Sequence, residues 1–204
     1  MVRFEAALRA RVQRHLESFE RRALTLDGRR HAAVAAVITD DDEGRACLLL
    51  TFRQPTLRRH AAQFALPGGT LDAGETAEAA ALRELAEELG VEMGREHLLG
   101  ALDDYPTRSG YVITPFVLFG ADLTIRPNPA EVAMHFRVPL SDIDDPALLQ
   151  TRPSPPASPI VYFPLLGTTI HAPTAAILHQ LVEVGLHGRP TRVAHFDEPE
   201  FARR

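Results

Sequence analysis

Residues 82–90 read LRELAEELG and gather Glu84, Glu87 and Glu88, with Arg83, into the last turns of a short helix that stops at Gly90. A helix C-terminus carries partial negative charge and favours cations over carboxylates, so this arrangement costs stability. At 100° per residue, Glu84 and Glu88 lie about 40° apart and Glu87 about 60° to the other side of Glu84, so the three carboxylates share one arc. Like charges at that spacing repel by roughly a few tenths of a kcal/mol per pair. Leu82, Leu85 and Leu89 fall on the opposite side as a stripe to bury, which holds the acidic arc outward. The arc is therefore aimed at a partner. Oxygen donors with no histidine or thiol nearby suit Mg²⁺ or Mn²⁺ better than zinc.

The elements that must carry this helix follow from the hydrophobic pattern. Residues 2–23 alternate apolar and charged positions at helical spacing and predict an amphipathic leading helix, able to cover a sheet or the partner subunit of a homodimer. HAAVAAVIT (31–39) and ACLLLTFR (46–53) read as strands joined across DDDEG. Glycines cluster in LPGGTLDAGET (66–76), ahead of the acidic helix. Strand-like runs follow near 97–104, at 111–120 and at 132–140, then a short helix near 141–149. The proline-rich RPSPPASP (152–159) predicts an extended loop rather than a regular element. A strand pair at 160–171 and a helix over 172–188 complete the pattern, and residues 189–204 read as a peripheral tail. Helices set among more numerous strands predict a mixed sheet sandwiched between helices.

Composition narrows the function. The 204 residues, 45% hydrophobic and 24% charged, fit one globular domain. A net charge of −5 leaves no overall basic footprint for nucleic acid. All 22 basic residues are arginine, which excludes lysine nucleophiles and Schiff bases. The single Cys47 sits in an apolar run, so it reads as a buried core thiol and allows neither an intrachain disulfide nor a multi-cysteine zinc site. No apolar stretch reaches the ~18 residues that span a bilayer. The N-terminal stretch lacks the apolar core of a secretory signal, and a cytoplasmic setting with no membrane partner is expected.

The spacing around the acidic arc carries a resemblance. Five residues separate Gly69 from Glu75 and seven separate Glu75 from Arg83-Glu84-Leu85. One residue then precedes Glu87-Glu88, and one more precedes Gly90-Val91. This pattern resembles the 23-residue box of the Nudix hydrolases at every position. The resemblance implies an α/β/α sandwich that uses Mg²⁺ or Mn²⁺ to hydrolyse a small-molecule diphosphate. Glu84, Glu87 and Glu88, with Gly68, would hold the metal. Pro67-Gly68-Gly69 would turn tightly beside it, with Gly68 offering backbone groups. Arg83, four residues before Glu87, would orient that carboxylate, and Glu75 would brace the loop. The base that takes the proton of the attacking water would be Glu84 or Glu87, or else Glu131, which stands in a family-like NPAEV context before a strand.

Upstream, LTFRQPTLRRHAAQFALPGG (50–69) resembles the signature of the coenzyme A diphosphatase branch. Leu50, Thr51, Arg53, Arg58 and Pro67-Gly68-Gly69 match it, whereas Gln54, Ala62 and Leu66 depart from it. Arg53, Arg58 and Arg59, with His60, would then recognise the phosphates of coenzyme A. SGYVITPFV (109–117) also fits the branch. IHAPTAAIL (170–178) fits at Thr174, Ala175, Ile177 and Leu178, but departs at His171, Ala172 and Pro173. The implied products are 3′,5′-ADP and a phosphopantetheine. Two other readings remain: a diphosphatase for ADP-ribose, NADH or dinucleoside polyphosphates, and a non-catalytic module that senses a nucleotide ligand.

Overall fold

The computed structural model describes residues 1–55, 63–154 and 157–199. Arg58, Arg59, His60 and Ala62 lie outside the described residues. The chain opens with helix α1 (Ala6–Ser18) and continues into the long strand β1 (Arg30–Asp40) and β2 (Ala46–Arg53). Two short strands, β3 (Phe64–Ala65) and β4 (Gly68–Thr70), precede helix α2 (Ala77–Leu89). Then come β5 (Leu98–Ala101), β6 (Tyr105–Pro106), β7 (Tyr111–Phe119) and β8 (Val132–Pro139). A single turn of helix, α3 (Leu140–Ile143), leads to β9 (Gln150–Ser154), β10 (Ala157–Leu165) and β11 (Thr168–His171). Helix α4 (Thr174–Gln180) runs on as a π-helical segment over Leu181–Leu186.

The central sheet is mixed, as expected. Its order is β3-β2-β1-β7-β5, with β8 also on β2, β4 on β1 and β6 on β7. β1 and β7 run parallel, from Arg30 opposite Tyr111 to Ile38 opposite Phe119, and the other pairs of this sheet are antiparallel. Strands β9 to β11 form a separate three-stranded sheet.

Alternation along β1 sends side chains to two cores. Ala33, Ala35 and Val37 meet Ala80, Ala81, Leu85 and Leu89 of α2, with alanines on both sides of this contact. Ala36 and Ile38 face Val12 and Leu16 of α1 and Ala175, Ile177 and Leu178 of α4. Helices thus cover both faces of the sheet. Leu85 and Leu89 are fully buried, each contributing about 1.5–3 kcal/mol relative to exposure, which anchors α2 on the sheet. Among the described residues, no helix is long and apolar enough to cross a membrane.

Four elements differ from the sequence expectation. The leading helix stops at Ser18 because the next residues are captured in extended form: Asp103 and Asp104, both buried, accept the backbone N–H groups of Arg22 and Leu24, and the Arg21 guanidinium pairs with Asp104. Only the first turn of the short helix expected at 141–149 forms. The proline-rich stretch is not simply a loop. Pro153 lies on β9, an edge strand, and Pro159 falls at a register shift of β10, two places where a missing N–H is tolerated. Residues 189–199 of the tail are not peripheral: Val193, Asp197 and Glu198 are buried, Tyr105 Oη donates to the Phe196 carbonyl, and the Asp197 N–H donates to the Pro159 carbonyl.

Cys47, on β2, is fully buried, and its thiol is pushed up to about 12 by that burial and by the neighbouring Asp41. A thiol-specific reagent at pH 8 should leave the native protein unlabelled and add a single label once denaturant is present. Rapid labelling of native protein would show that β2 is not sealed.

Candidate active site

Helix α2 is set by its ends. Thr76 caps it, accepting the Ala79 N–H at 3.2 Å, and Gly90 closes it in the left-handed conformation at φ 62°. With the leucines committed to the core, Glu84 and Glu88 meet β4 at Gly69 and Gly68 and Glu87 lies beside them on Arg83, and the three do not share one exposure. Glu87 is exposed, Glu84 is partly covered and Glu88 is 1% exposed. The expectation of an arc held wholly outward fails at Glu88. The helical wheel places it beside Glu84, and strands β2 and β4 then close over it.

Each carboxyl group is answered by an arginine. Arg53, from the end of β2, places Nη1 3.0 Å from Glu88 Oε1, and the Gly68 N–H donates to Glu88 Oε2 at 3.3 Å. Arg83 Nη1 donates to Glu84 and to Glu87, at 2.9 Å each. Its Nε and Nη2 reach Glu75 at 2.9 and 3.0 Å, and Nη2 also donates to the Thr70 carbonyl at 3.2 Å. Glu75 in turn accepts the Asp72 N–H at 2.9 Å. Arg83 and Glu75 therefore tie the loop before α2 to the two carboxylates nearest the solvent.

Burial dominates the electrostatics of the inner pair. It pushes Glu88 up to about 7, against the pull of Arg53 and with the charges of Glu84 and Glu131 adding to the rise. It also raises Glu84, opposed by Arg83 and reinforced by Glu87 and Glu131. Glu131, just before β8, is thus close enough for both to feel its charge. Asn128 Nδ2 donates to its side chain at 3.4 Å, and its carbonyl accepts the Gln54 N–H at 2.9 Å.

The two glycines of β4 are fixed by packing. Gly68 has φ 155°, and a Cβ there would stand 2.3 Å from the Ala33 carbonyl oxygen and 2.6 Å from Val34 Cα. A Cβ on Gly69 would stand 2.3 Å from Glu84 Oε1, so its absence leaves that carboxyl group uncovered. Beyond β4 a cleft of about 300 Å³ opens between β1, β7 and α4, with Arg53, Gly68 and Gly69 in its wall. A smaller space of about 250 Å³ lies between Phe52, Phe64 and residues 168–174, and includes the His171-Ala172-Pro173 step.

Among the described residues, no three acidic, histidine or cysteine groups stand together as a ready ion cage, and arginines pair with the carboxyl groups of α2. The donor set nevertheless fits a hard divalent cation. It is all oxygen, two of its members are desolvated carboxyl groups that gain most from a positive charge, and Gly69 leaves one of them open. Glu84 and Glu88, with Glu87 and Glu131 beside them, are the residues that would hold it. Gly68 directs its N–H at Glu88. The structure brings together Arg53, Gly68, Arg83, Glu84, Glu87, Glu88 and Glu131, whereas Arg58 and Arg59 fall outside the described residues. Sequence reasoning missed Glu198, which lines the cleft from the tail, since DEPE in a C-terminal segment carries no periodic or motif signal.

A model of the NUDIX domain matches residues 29–158. The Nudix hydrolase NudL of Photorhabdus laumondii subsp. laumondii, itself described as uncharacterized, is 43% identical over 118 residues, which cover 57% of this chain and 62% of that protein. NudL of Escherichia coli K12 is 37% identical over 119 residues, covering 57% of this chain and 60% of that one. The chain thus spans about three fifths of the length of the curated relatives it matches. Among solved structures, a MutT/nudix family protein from Enterococcus faecalis superposes with a TM-score of 0.56 at 15% identity, over 79% of this chain and 65% of that one. A NUDIX hydrolase from Alicyclobacillus acidocaldarius gives 0.54 at 18% identity, over 78% and 92%. At these identities the likeness is one of fold.

The buried Glu88 makes stability depend on pH. In metal-free protein the folded state keeps the Glu88 proton up to about pH 7, whereas an ordinary glutamate releases it near 4.5, so the fold loses stability as pH rises across that interval. Melting curves in chelator at pH 5 and pH 8 should show the loss in the wild type and a flatter profile in Glu88→Gln. Equal slopes would contradict a buried, protonatable Glu88.

Proposed function

The chain belongs to the NUDIX domain family, and from that premise we propose that it hydrolyses a diphosphate bond with Mg²⁺ or Mn²⁺, its substrate being coenzyme A or an acyl-coenzyme A. The observation that carries the reading is the position of Arg53. Arg53 donates to Glu88 and also lines the cleft beside Gly68 and Gly69, so carboxyl groups suited to a cation and an arginine suited to an anion meet at one strand. A diphosphate brings the anion, and a divalent ion the counter-charge.

The bound cation would neutralise phosphate oxygens and lower the pKa of the attacking water. The chain's own residues supply the rest. Water adds at one phosphorus, the bridging P–O bond breaks, and the leaving phosphate departs with the bridging oxygen. Glu131 takes the water's proton in this account. It lies off the helix, and its side chain accepts only a long bond from Asn128 among the described contacts. Glu84 and Glu87 are each held by Arg83. That guanidinium fixes the orientation of both carboxyl groups and is itself tied to β4 through the Thr70 carbonyl. Arg53 serves as the phosphate-binding group and, with Arg58 and Arg59, favours a substrate that bears an additional phosphate.

A second reading rests on the His171-Ala172-Pro173 step. Those residues line the smaller space next to the cleft, and Pro173 also borders the cleft itself, so the departure at this step falls where a substrate arm would pass. A shift toward ADP-ribose, NADH or a dinucleoside polyphosphate would follow from it. The lone buried thiol suits a reducing, cytoplasmic setting, whereas α1 spends Leu8, Val12 and Leu16 on the chain's own core, so a homodimer would need another surface.

Products identified by mass spectrometry from a panel of coenzyme A, dephospho-coenzyme A, ADP-ribose, NADH and diadenosine polyphosphates test the reading. Coenzyme A should be cut fastest, to 3′,5′-ADP and phosphopantetheine, and Glu131→Gln should lower kcat by about 10²–10⁴-fold without changing the melting temperature. Fastest cleavage of ADP-ribose or NADH would overturn the coenzyme A assignment. Binding with no cleavage of any compound would make the domain a sensing module.

A further inference from the structure

The two arginines of the site are held differently. Arg83 keeps Glu75 through Nε and Nη2 and the Thr70 carbonyl through Nη2, so its place is fixed whether or not Glu84 and Glu87 stay on Nη1. Arg53 has one side-chain partner among the described residues. Its Nη1 donates to Glu88 Oε1, and its buried Nε donates to no described group. A buried donor left unpaired costs its desolvation, so the guanidinium sits on Glu88 without satisfying its own donors. The backbone around it is pinned: the Arg53 N–H donates to the Gln63 carbonyl at 3.0 Å, the Gln54 N–H to the Glu131 carbonyl at 2.9 Å, and Gln54 Nε2 to the Pro129 carbonyl at 2.8 Å. Movement at this residue is therefore left to its side chain.

Glu88 cannot serve two cations at once. Its Oε2 faces the N–H of Gly68, which β1 holds through Val34, and its Oε1 faces Arg53. A divalent ion on Oε1 would stand about 2.1 Å from it, and hence no more than about 5 Å from Nη1, where like charges repel. The residue is 1% exposed, so little water screens that repulsion. The group that can yield is the arginine. Arg53 already lines the cleft with Gly68 and Gly69, and the one acid among the described lining residues, Glu198, stands on the tail with the Arg108 N–H as its own partner. A guanidinium turned away from Glu88 thus meets the cleft, where an anionic ligand is its available partner.

We propose that Arg53 is an exchangeable counter-ion: it holds Glu88 in the metal-free protein, gives that carboxylate up to a divalent cation, and turns into the cleft to pair with a phosphate of the substrate. The proposal rests on the diphosphatase reading above and adds an order to it, cation before diphosphate. An arginine committed to Glu88 taxes the binding of an anion, because only the fraction of molecules with the guanidinium released can take one. Linkage is reciprocal, so the cation tightens the hold on the diphosphate by the same factor by which the diphosphate tightens the hold on the cation.

Two measurements test this. In the first, inorganic diphosphate is titrated by calorimetry, in chelator, into metal-free protein. The wild type should bind it weakly, and Glu88→Gln, which releases the guanidinium, should bind it about tenfold more tightly. Glu84→Gln removes a neighbouring carboxylate but leaves Arg53 in place, so it should gain far less, and the gain of Glu88→Gln should vanish when Arg53→Met is added to it. Equal gains in the two single variants, no gain in either, or a gain that survives the loss of Arg53 would overturn the proposal. In the second, the Arg53 Nη resonances of isotope-labelled wild type report rotation about the Cζ–Nη bonds. Rotation should be hindered in chelator, where Glu88 holds Nη1, free in excess Mg²⁺, and hindered again once inorganic diphosphate is added with Mg²⁺ still in excess. Rotation that stays hindered in excess Mg²⁺ would overturn the exchange even if no variant folds. Neither measurement needs turnover. Absent hydrolysis with both outcomes positive therefore counts against the diphosphatase reading alone, and hydrolysis with either outcome negative counts against the exchange alone.

Discussion

A carboxyl group sealed beneath two strands has to find a positive charge or keep its proton, and the arrangement around α2 follows from that requirement at Glu88. Burial alone would hold the group neutral near physiological pH, with Arg53 and the Gly68 N–H as its present compensation. Glu84 repeats the problem one turn earlier, with Arg83 in place of Arg53. Stability is spent at this helix end: it carries carboxylates where its dipole favours cations, and packs two of them out of water. A divalent cation would reverse the sign of both penalties, which is the electrostatic ground for proposing a cation here.

The rest of the fold keeps that device in register. Alanines on both sides of the β1–α2 contact seat the helix against the sheet, and Leu85 and Leu89 set its rotation. β4 then threads between β1 and the acidic face: only glycine fits at Gly68, where a side chain would strike the β1 backbone, whereas a side chain on Gly69 would displace the Glu84 carboxyl group. The same strand borders the cleft, so one short segment joins the acidic face to that space. On the far side, the buried acids Asp103 and Asp104 fasten both termini. Asp104 holds Arg21 and Leu24, and Asp103 holds Arg22, Arg192 and Gln180. The tail and its Glu198 are positioned through this anchorage.

Much of this was legible in the sequence where one local pattern determined the outcome. The periodicity of 82–90 and the apolar runs at 31–39 and 46–53 led directly to α2, β1 and β2, and the spacing from Gly69 to Val91 pointed to the residues that cluster. What stayed hidden depended on distant partners. The leading helix was read too long because its periodicity says nothing of Asp103 and Asp104, some 80 residues away, which draw residues 21–24 into an extended path. A helical wheel places Glu88 beside Glu84 but cannot show that β2 and β4 seal the one and only partly cover the other. The tail lacks any period, so its burial and its place in the cleft wall came only from the folded chain. Prolines at 153 and 159 argue against a central strand, and they occupy an edge and a register shift, which the sequence does not distinguish from a loop.

The most direct test of the central claim is the affinity of the protein for Mn²⁺, measured by electron paramagnetic resonance of the free ion at pH 7.5 with no substrate present. The account predicts saturable binding in the wild type, weakened at least about tenfold in Glu84→Gln and in Glu88→Gln, since each variant removes a charged oxygen donor. Binding that is as tight in both variants as in the wild type would place the cation elsewhere, and the buried carboxyl groups of α2 would need another explanation.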